Sequence, residues 1–166
     1  MLKIRKAKFE DLPGITSIYN DAIKHTIATF DTKIKTLEEQ KVWFGQHGLK
    51  NPIIVAEEKN DIVGWAALSK WSDRCAYSDT AEISAYVKDN FQRKGIGKKL
   101  IKEIVKEGEK AGLHLLIARI TDNNPVSIHL HESVGFSKIG VMKECGFKFG
   151  KRLNVVLMQR LYKNND

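Results

Sequence analysis

The chain has 166 residues, 42% of them apolar and 29% charged, with a formal net charge of +8; this is one domain's length, with enough apolar content for a proper core and too much for a disordered chain. No apolar run approaches membrane-spanning length, and the start, Met-Leu-Lys-Ile-Arg-Lys, has no apolar signal core behind its charges, so a cytoplasmic protein without a membrane partner is expected. Cys75 and Cys145 are far apart and lack any Cys-x-x-Cys or Cys/His ligand pattern, so both are expected to be reduced packing residues, with no disulfide and no metal site.

In chain order, Lys3 to Ala7 alternates as a first strand. Asp11 is placed to cap a helix that has Pro13 in its first turn and Ile15, Ile18, Tyr19, Ala22 and Ile23 on one face. An irregular stretch from Thr26 to Thr32 carries an exposed-looking Phe30, and Thr36 with Glu39 forms a capping box for a second helix that ends near Gly48. The β-rich runs Ile53 to Glu57 and Ile62 to Ser69 flank Asn60-Asp61 and predict an antiparallel hairpin. Thr80 to Val87 is the next strand, and a loop containing Gly95 and Gly97 leads from it into a helix with Ile96, Leu100, Ile101, Ile104 and Val105 on one face. The nearly continuous apolar run Leu113 to Ile120 reads as a central strand, and Asn124-Pro125 starts a helix that stops before Gly135. Phe136 to Val141, the segment around Cys145 to Phe149, and Leu153 to Leu161 supply the final strands. The order is β-α-α-β-β-β-α-β-α-β-β, an α+β fold: a mixed, mostly antiparallel sheet with helices on both faces, in a single domain over residues 1–166.

The glycine loop carries the first chemical signal. The leading N–H groups of a helix have no intrahelical partner and stand at the positive end of its dipole, and glycines let a bulky anion approach them. Arg93, Lys94 and Lys98 add positive charge at the same point, and phosphate is the anion that fits. One residue between Gly95 and Gly97, followed by Lys-Lys, fails the Walker spacing, and Leu100 occupies the place where a dinucleotide fingerprint needs a small residue.

Between Lys88 and Lys110 eight basic residues face four acids, giving half of the +8 surplus. RNA is one conceivable partner, but aromatics do not interleave with the charges and the acids sit among the bases, so a solvated helix face is the favoured reading and nucleic-acid binding is not expected.

Gln92-Arg93-Lys94-Gly95-Ile96-Gly97 matches Gln/Arg-x-x-Gly-x-Gly/Ala, and Asn124, Ser127, Leu130, His131, Gly135 and Phe136 match Asn-x-x-Ala/Ser-x-x-Leu-Tyr/His-x-x-x-Gly-Phe. Together these resemble the two motifs of the GCN5-related N-acetyltransferases (GNAT), whose fold has the same succession of elements. Within that family the chain is similar to the phosphinothricin and methionine sulfoximine/sulfone acetyltransferase branch, through pieces such as Thr29-Phe30-Asp31-Thr32, Arg74-Cys75-Ala76-Tyr77, Glu82 to Val87 and Gly146 to Gly150. Arg152 and Asn154 stand where that branch has Trp and Asp, which leaves acetyl transfer expected and substrate choice open.

The resemblance implies acetyl-CoA as co-substrate, a small-molecule amine as acceptor and a homodimer. Its pyrophosphate loop falls on Arg93, Lys94, Gly95, Ile96, Gly97 and Lys98, and its bulge-splayed strand on Ala85, Tyr86 and Val87, whose N–H groups would pair with the pantetheine arm. Asn124 would bond the pantetheine amides or only cap its helix, and Ser133 is a further cofactor contact by resemblance. An amino acid's α-ammonium cannot attack a thioester until it loses a proton. Glu82 is the candidate base, directly or through a water, against the plainer reading of an ion-pair partner. His131 is either the acid that protonates the leaving thiolate or a packed histidine bonded to backbone. Phe30, Arg74 and Tyr77 are the candidates for the amine pocket, with Arg74 as a fork for a substrate carboxylate or a surface charge, and Phe30 as an apolar wall or a packing residue. The expected reaction is direct acetyl transfer to the α-amine of a small amino acid or analogue in a ternary complex; the alternatives are a peptide or protein amine acceptor, or a non-catalytic CoA- or RNA-binding module.

Overall fold

Period-two alternation on the strands and helical periodicity between them leave each element one apolar face to bury. The computed structural model describes residues 1–163. Strands β1 (Lys3–Lys6), β2 (Ile53–Glu58), β3 (Asp61–Lys70), β4 (Thr80–Val87), β5 (Leu115–Thr121), β6 (Ser137–Lys148) and β7 (Lys151–Leu161) are interspersed with helices α1 (Leu12–His25), α2 (Leu37–Gly45), α3 (Ile96–Lys110) and α4 (Pro125–Glu132), in the expected order. They build one seven-stranded sheet, β1-β2-β3-β4-β5-β7-β6. Every neighbouring pair is antiparallel except β4 with β5.

The sheet is covered on both faces. On one, Ile96, Leu100, Ile101, Ile104 and Val105 of α3 are buried against Ile54, Val63, Leu68, Leu116 and Met158, each large aliphatic side chain contributing about 1.5–3 kcal/mol through the water it sheds. On the other, Ile15 and Ile18 of α1 pack on Ile53, Val55, Trp65 and Ala67, with Trp43 and Phe44 of α2 alongside. Helix α3 stops cleanly at Gly112 (φ +76), where Leu113 N–H returns to Gly108 O and Gly112 N–H to Glu109 O, a paired closure that satisfies two of the helix's orphan carbonyls.

Several local expectations are corrected. The capping box at Thr36 and Glu39 is present, but Asp11 makes no side-chain bond to the turn of α1. Its carboxylate instead accepts Lys8 N–H at 2.7 Å and a bidentate Arg5. The two segments expected before and around Cys145 form one strand, β6, because two register shifts against β7 absorb the irregular residues between them. Asn154 explains the second shift: it accepts Glu144 N–H at 2.7 Å and donates to Asp122 at 2.8 Å, holding the bulged backbone to the end of β5. Both cysteines are free, as expected, but exposed rather than packed.

Candidate active site

The one parallel pair creates the opening. Rungs between β4 and β5 end at Glu82↔Ile117, beyond which the strands diverge. Thr80 O accepts from Trp71 and Lys88 N–H donates to Val63 O, while the β3–β4 ladder between them has no register shift. Even-numbered residues of β4 therefore direct both backbone groups to β3, and odd-numbered ones direct theirs away from it. Ala85 and Val87 thus turn their N–H groups toward the gap, whereas the Tyr86 N–H belongs to the β3 ladder. The expected bulge is not what splays the strand; divergence of β5 from an unshifted β4 is.

An anion-ready loop lies at the end of that open edge. Arg93 (φ +59) and Gly95 (φ +77) both take the left-handed conformation to turn the chain into α3, and glycine removes the steric cost at the second of these. The loop is tied back to β4 by the Gln92 amide, which donates to Val87 O at 3.3 Å. The first turn of α3 closes with Lys99 N–H on Gly95 O, so the N–H groups of Ile96, Gly97 and Lys98 precede any intrahelical bond. Ile96 is buried and anchors the helix start, while Arg93, Lys94 and Lys98 are exposed around it. An extended, amide-bearing chain can pair with the open strand edge and an anion can sit on the helix start.

Between the diverging strands is a cleft of about 520 Å³ whose walls include Glu82 to Tyr86 of β4, Ala118 to Thr121 of β5, Thr29 to Asp31, Asn124 and His131. A smaller compartment of about 270 Å³ continues beneath α2 toward Trp43 and Trp65, sharing Tyr19, Asp31, Ser84 and Tyr86 with the cleft. Asn124 caps α4, its Oδ1 accepting Ser127 N–H at 3.1 Å. Burial pushes the Tyr86 phenol up to about 12, so it is a neutral hydrogen-bond donor in the shared wall.

Glu82 lies in the cleft wall with Arg119 clamped on it: Nη2 donates to Oε1 at 2.8 Å and Nε to Oε2. Arg119, which sequence reasoning missed, is visible in hindsight as the single charge within the apolar run from Leu113 to Ile120. The carboxylate retains lone pairs on both oxygens for a ligand or a water.

His131 has the geometry of the packed alternative. Its Nδ1 lies 2.7 Å from Ser127 O, and since a carbonyl only accepts, Nδ1 carries the proton. Burial also lowers its pKa from 6.5, outweighing that backbone bond. The neutral ring offers a lone pair at Nε2 and no proton there for a leaving thiolate. His47, to which the sequence assigned no constellation, is half-buried, which lowers its pKa as well, and it donates from Nδ1 to Trp43 O at 2.7 Å. Both imidazoles return to 6.5 on unfolding, so the unfolded chain binds more protons just below that pH. Their contribution is complete above it and is lost as the pH falls through the lower folded values. The melting temperature is expected to fall between about pH 7 and about pH 5; a scan showing it flat or rising there would contradict the buried neutral assignment.

Other expected site residues lie elsewhere. Arg74 and Tyr77 are exposed in the connection before β4 and line neither cavity. The Ser133 hydroxyl is exposed at the end of α4, donating to Leu130 O at 2.6 Å. Phe30 does reach the cleft wall but is half-buried; its ring covers the bare backbone of Gly146, with ring carbons 2.2–2.8 Å from where a Cβ would stand. Beside it the buried Lys148 donates to Thr29 O at 2.7 Å, fixing the Thr29–Asp31 wall to β6. Among the described residues no cluster of His, Cys, Asp or Glu could hold a metal.

Residues 4–157 match the model of the acetyltransferase (GNAT) domain. The L-amino acid N-acyltransferase MnaT of Escherichia coli is 33% identical over 95% of this chain and 92% of its own length. The L-methionine sulfoximine/L-methionine sulfone acetyltransferase of Salmonella typhimurium is 34% identical over 95% and 93%. A crystal structure of a phosphinothricin acetyltransferase from Sinorhizobium meliloti in complex with acetyl-CoA superposes with a TM-score of 0.92 at 34% identity, covering 96% of this chain and 88% of that one. The chain is therefore a member of the GCN5-related N-acetyltransferase family, an N-acetyltransferase whose co-substrate is acetyl-CoA.

Proposed function

We propose that the protein transfers acetyl from acetyl-CoA to the α-amine of a small amino acid or amino-acid analogue, of the methionine sulfone, methionine sulfoximine or phosphinothricin type, by direct attack in a ternary complex. The observation that carries this reading is the cleft between β4 and β5, with an anion-ready helix start at one end and the Glu82 carboxylate in its wall. The substrates named for the relatives support the acceptor class.

When bound, acetyl-CoA supplies an activated thioester, so the protein's task is to align it with the amine and deprotonate that amine. In this reading the N–H groups of Gly95, Ile96, Gly97 and Lys98, with Arg93 and Lys94 close by, hold the diphosphate. The Ala85 and Val87 N–H groups pair with the pantetheine amides, and one of them polarises the thioester carbonyl. Glu82 takes the proton of the ammonium, directly or through a water, and Phe30 walls the acceptor side.

The span of the family match supports one acetyltransferase domain. A homodimer is supported by the apolar residues Ile139, Val141, Met142, Phe147, Phe149 and Leu161, all exposed along β6, β7 and the turn between them. The pairing of Lys106 with Glu103 and Lys110 with Glu107 on α3 supports a solvated face rather than a nucleic-acid surface. Free cysteines are compatible with the cytoplasm, and no helix among the described residues is long and apolar enough to cross a membrane.

The test is thermal stabilisation by acetyl-CoA followed by thiol release on a panel of methionine sulfone, methionine sulfoximine, phosphinothricin and ordinary amino acids. Stabilisation with release on one or more of these is expected, whereas stabilisation with no release on any amine would mark a binding module instead.

A further inference from the structure

The amino-acid reading requires the cleft to recognise a carboxylate, and the arginine expected for that task, Arg74, is exposed outside it. Arg119 is inside. It projects from β5 where the strand diverges from β4, lines the cleft beside Glu82, and leaves 53% of its side chain exposed against 19% for Glu82. The guanidinium is braced over the Trp71 ring at 5.8 Å.

A guanidinium has five N–H donors. Arg119 uses two on Glu82, through Nε and Nη2, and its Nη1 group makes no hydrogen bond among the described residues. The clamp therefore fixes the plane and rotamer of the guanidinium while leaving one edge open, so a planar anion meets a fork that is already oriented. On the other partner, each Glu82 oxygen accepts one hydrogen bond from Arg119 and keeps acceptor capacity.

We propose that the Glu82–Arg119 pair is a template for the zwitterionic end of an α-amino acid, with Arg119 taking the carboxylate on its open Nη1 edge and Glu82 taking the α-ammonium. An α-amino acid holds its ammonium nitrogen and nearer carboxylate oxygen about 3 Å apart, a spacing that matches the 2.8 Å between Glu82 Oε1 and Nη2, whose second hydrogen lies on the same open edge as Nη1. Placed head to tail on the pair, the zwitterion puts each charge beside its opposite. A simple amine lacking the carboxylate would leave the Arg119 edge unused, and an amino acid carboxamide would offer it only an uncharged acceptor. The inference rests on the amino-acid reading above and adds the residue that selects for the carboxylate.

The test is calorimetric titration of methionine sulfone and of its carboxamide into enzyme saturated with coenzyme A, where no acetyl is available to transfer. The wild-type protein is expected to bind the acid roughly 10- to 100-fold more tightly than the amide. Arg119→Gln should bring that ratio close to one, and Arg119→Lys, which keeps the charge without the fork, should leave it in between. Retained thermal stabilisation of both variants by acetyl-CoA shows that they are folded. Equal binding of acid and amide by the wild type, absence of binding by either, or an undiminished ratio in Arg119→Gln would overturn the proposal. The transfer assay separates the two readings: thiol release without carboxylate preference removes only the role of Arg119. Carboxylate-dependent binding without thiol release on any amine removes the transfer reaction and leaves the template standing.

Discussion

Glu82→Gln is expected to lower the rate of thiol release about 100-fold or more near neutral pH, with the deficit narrowing as the pH rises toward the acceptor amine's own pKa. At neutral pH an α-ammonium is mostly protonated and has no lone pair for attack, so a positioned proton acceptor acts on the whole bound population. As the pH rises, the amine arrives already neutral and the carboxylate matters less. The amide of Gln can still accept a hydrogen bond from Arg119, so the variant removes the negative charge while keeping much of the local shape. Acetyl-CoA affinity should be nearly unchanged, because the loop and the odd-numbered edge of β4 are untouched. Initial rates across pH decide the matter: a deficit that is the same factor at every pH would assign Glu82 to positioning alone, and equal rates would remove it from the site.

Gly97→Val is expected to raise the dissociation constant for acetyl-CoA about 100-fold, the equivalent of losing two hydrogen bonds to a charged group at about 1.5 kcal/mol each. A Cβ at this position would lie 3.8 Å from Val87 and 3.9 Å from Leu130, ordinary contact distances. The first added carbon therefore fits, and Gly97→Ala should be a mild change. The two further methyl groups of valine crowd the helix start over which an anion must approach and also the Val87 and Leu130 side chains beside it, so the ligand and the local packing share the cost. Calorimetric titration of wild type, Gly97→Ala and Gly97→Val with acetyl-CoA should give a graded loss. Unchanged affinity in the valine variant would mean that close backbone approach at this glycine plays no part.

What the sequence disclosed about the site follows the range of the interactions. The loop was legible because everything it needs is local: two glycines, three flanking cations and the amphipathic period that makes α3 a helix. The Asn124 cap was legible for the same reason, being decided within four residues. The order of elements was likewise written in period and punctuation, and only β6 was divided in the reading, because Glu144 at φ +52 interrupts the alternation while Asn154, ten residues on, repairs it.

The features that escaped are those set by residues distant in the chain. Nothing near Glu82 announces Arg119, 37 residues away, and nothing in β4 itself says that β5 will leave it after Ile117. The backbone alternation that turns Ala85 and Val87 outward but Tyr86 inward depends on the register with β3. Ser133 was assigned by resemblance and Arg74 by the fork its guanidinium offers a carboxylate, with Tyr77 beside it, and in the folded chain the exposure of all three outside the cleft gives them no part in its walls. His131 illustrates a different limit: its position on α4 was foreseen, but its protonation is fixed by the Ser127 carbonyl and by burial.

Amide hydrogen exchange followed by NMR, with and without saturating acetyl-CoA, tests most directly the claim that the helix start and the unpaired edge of β4 together hold the co-substrate. The N–H groups of Ala85 and Val87 and those of Gly95 to Lys98 should become protected, while Ser84 and Tyr86, already bonded into the β3 ladder, should change little. Protection that ignores this alternation along β4, or that appears elsewhere on the surface and leaves the glycine loop exchanging freely, would contradict the account.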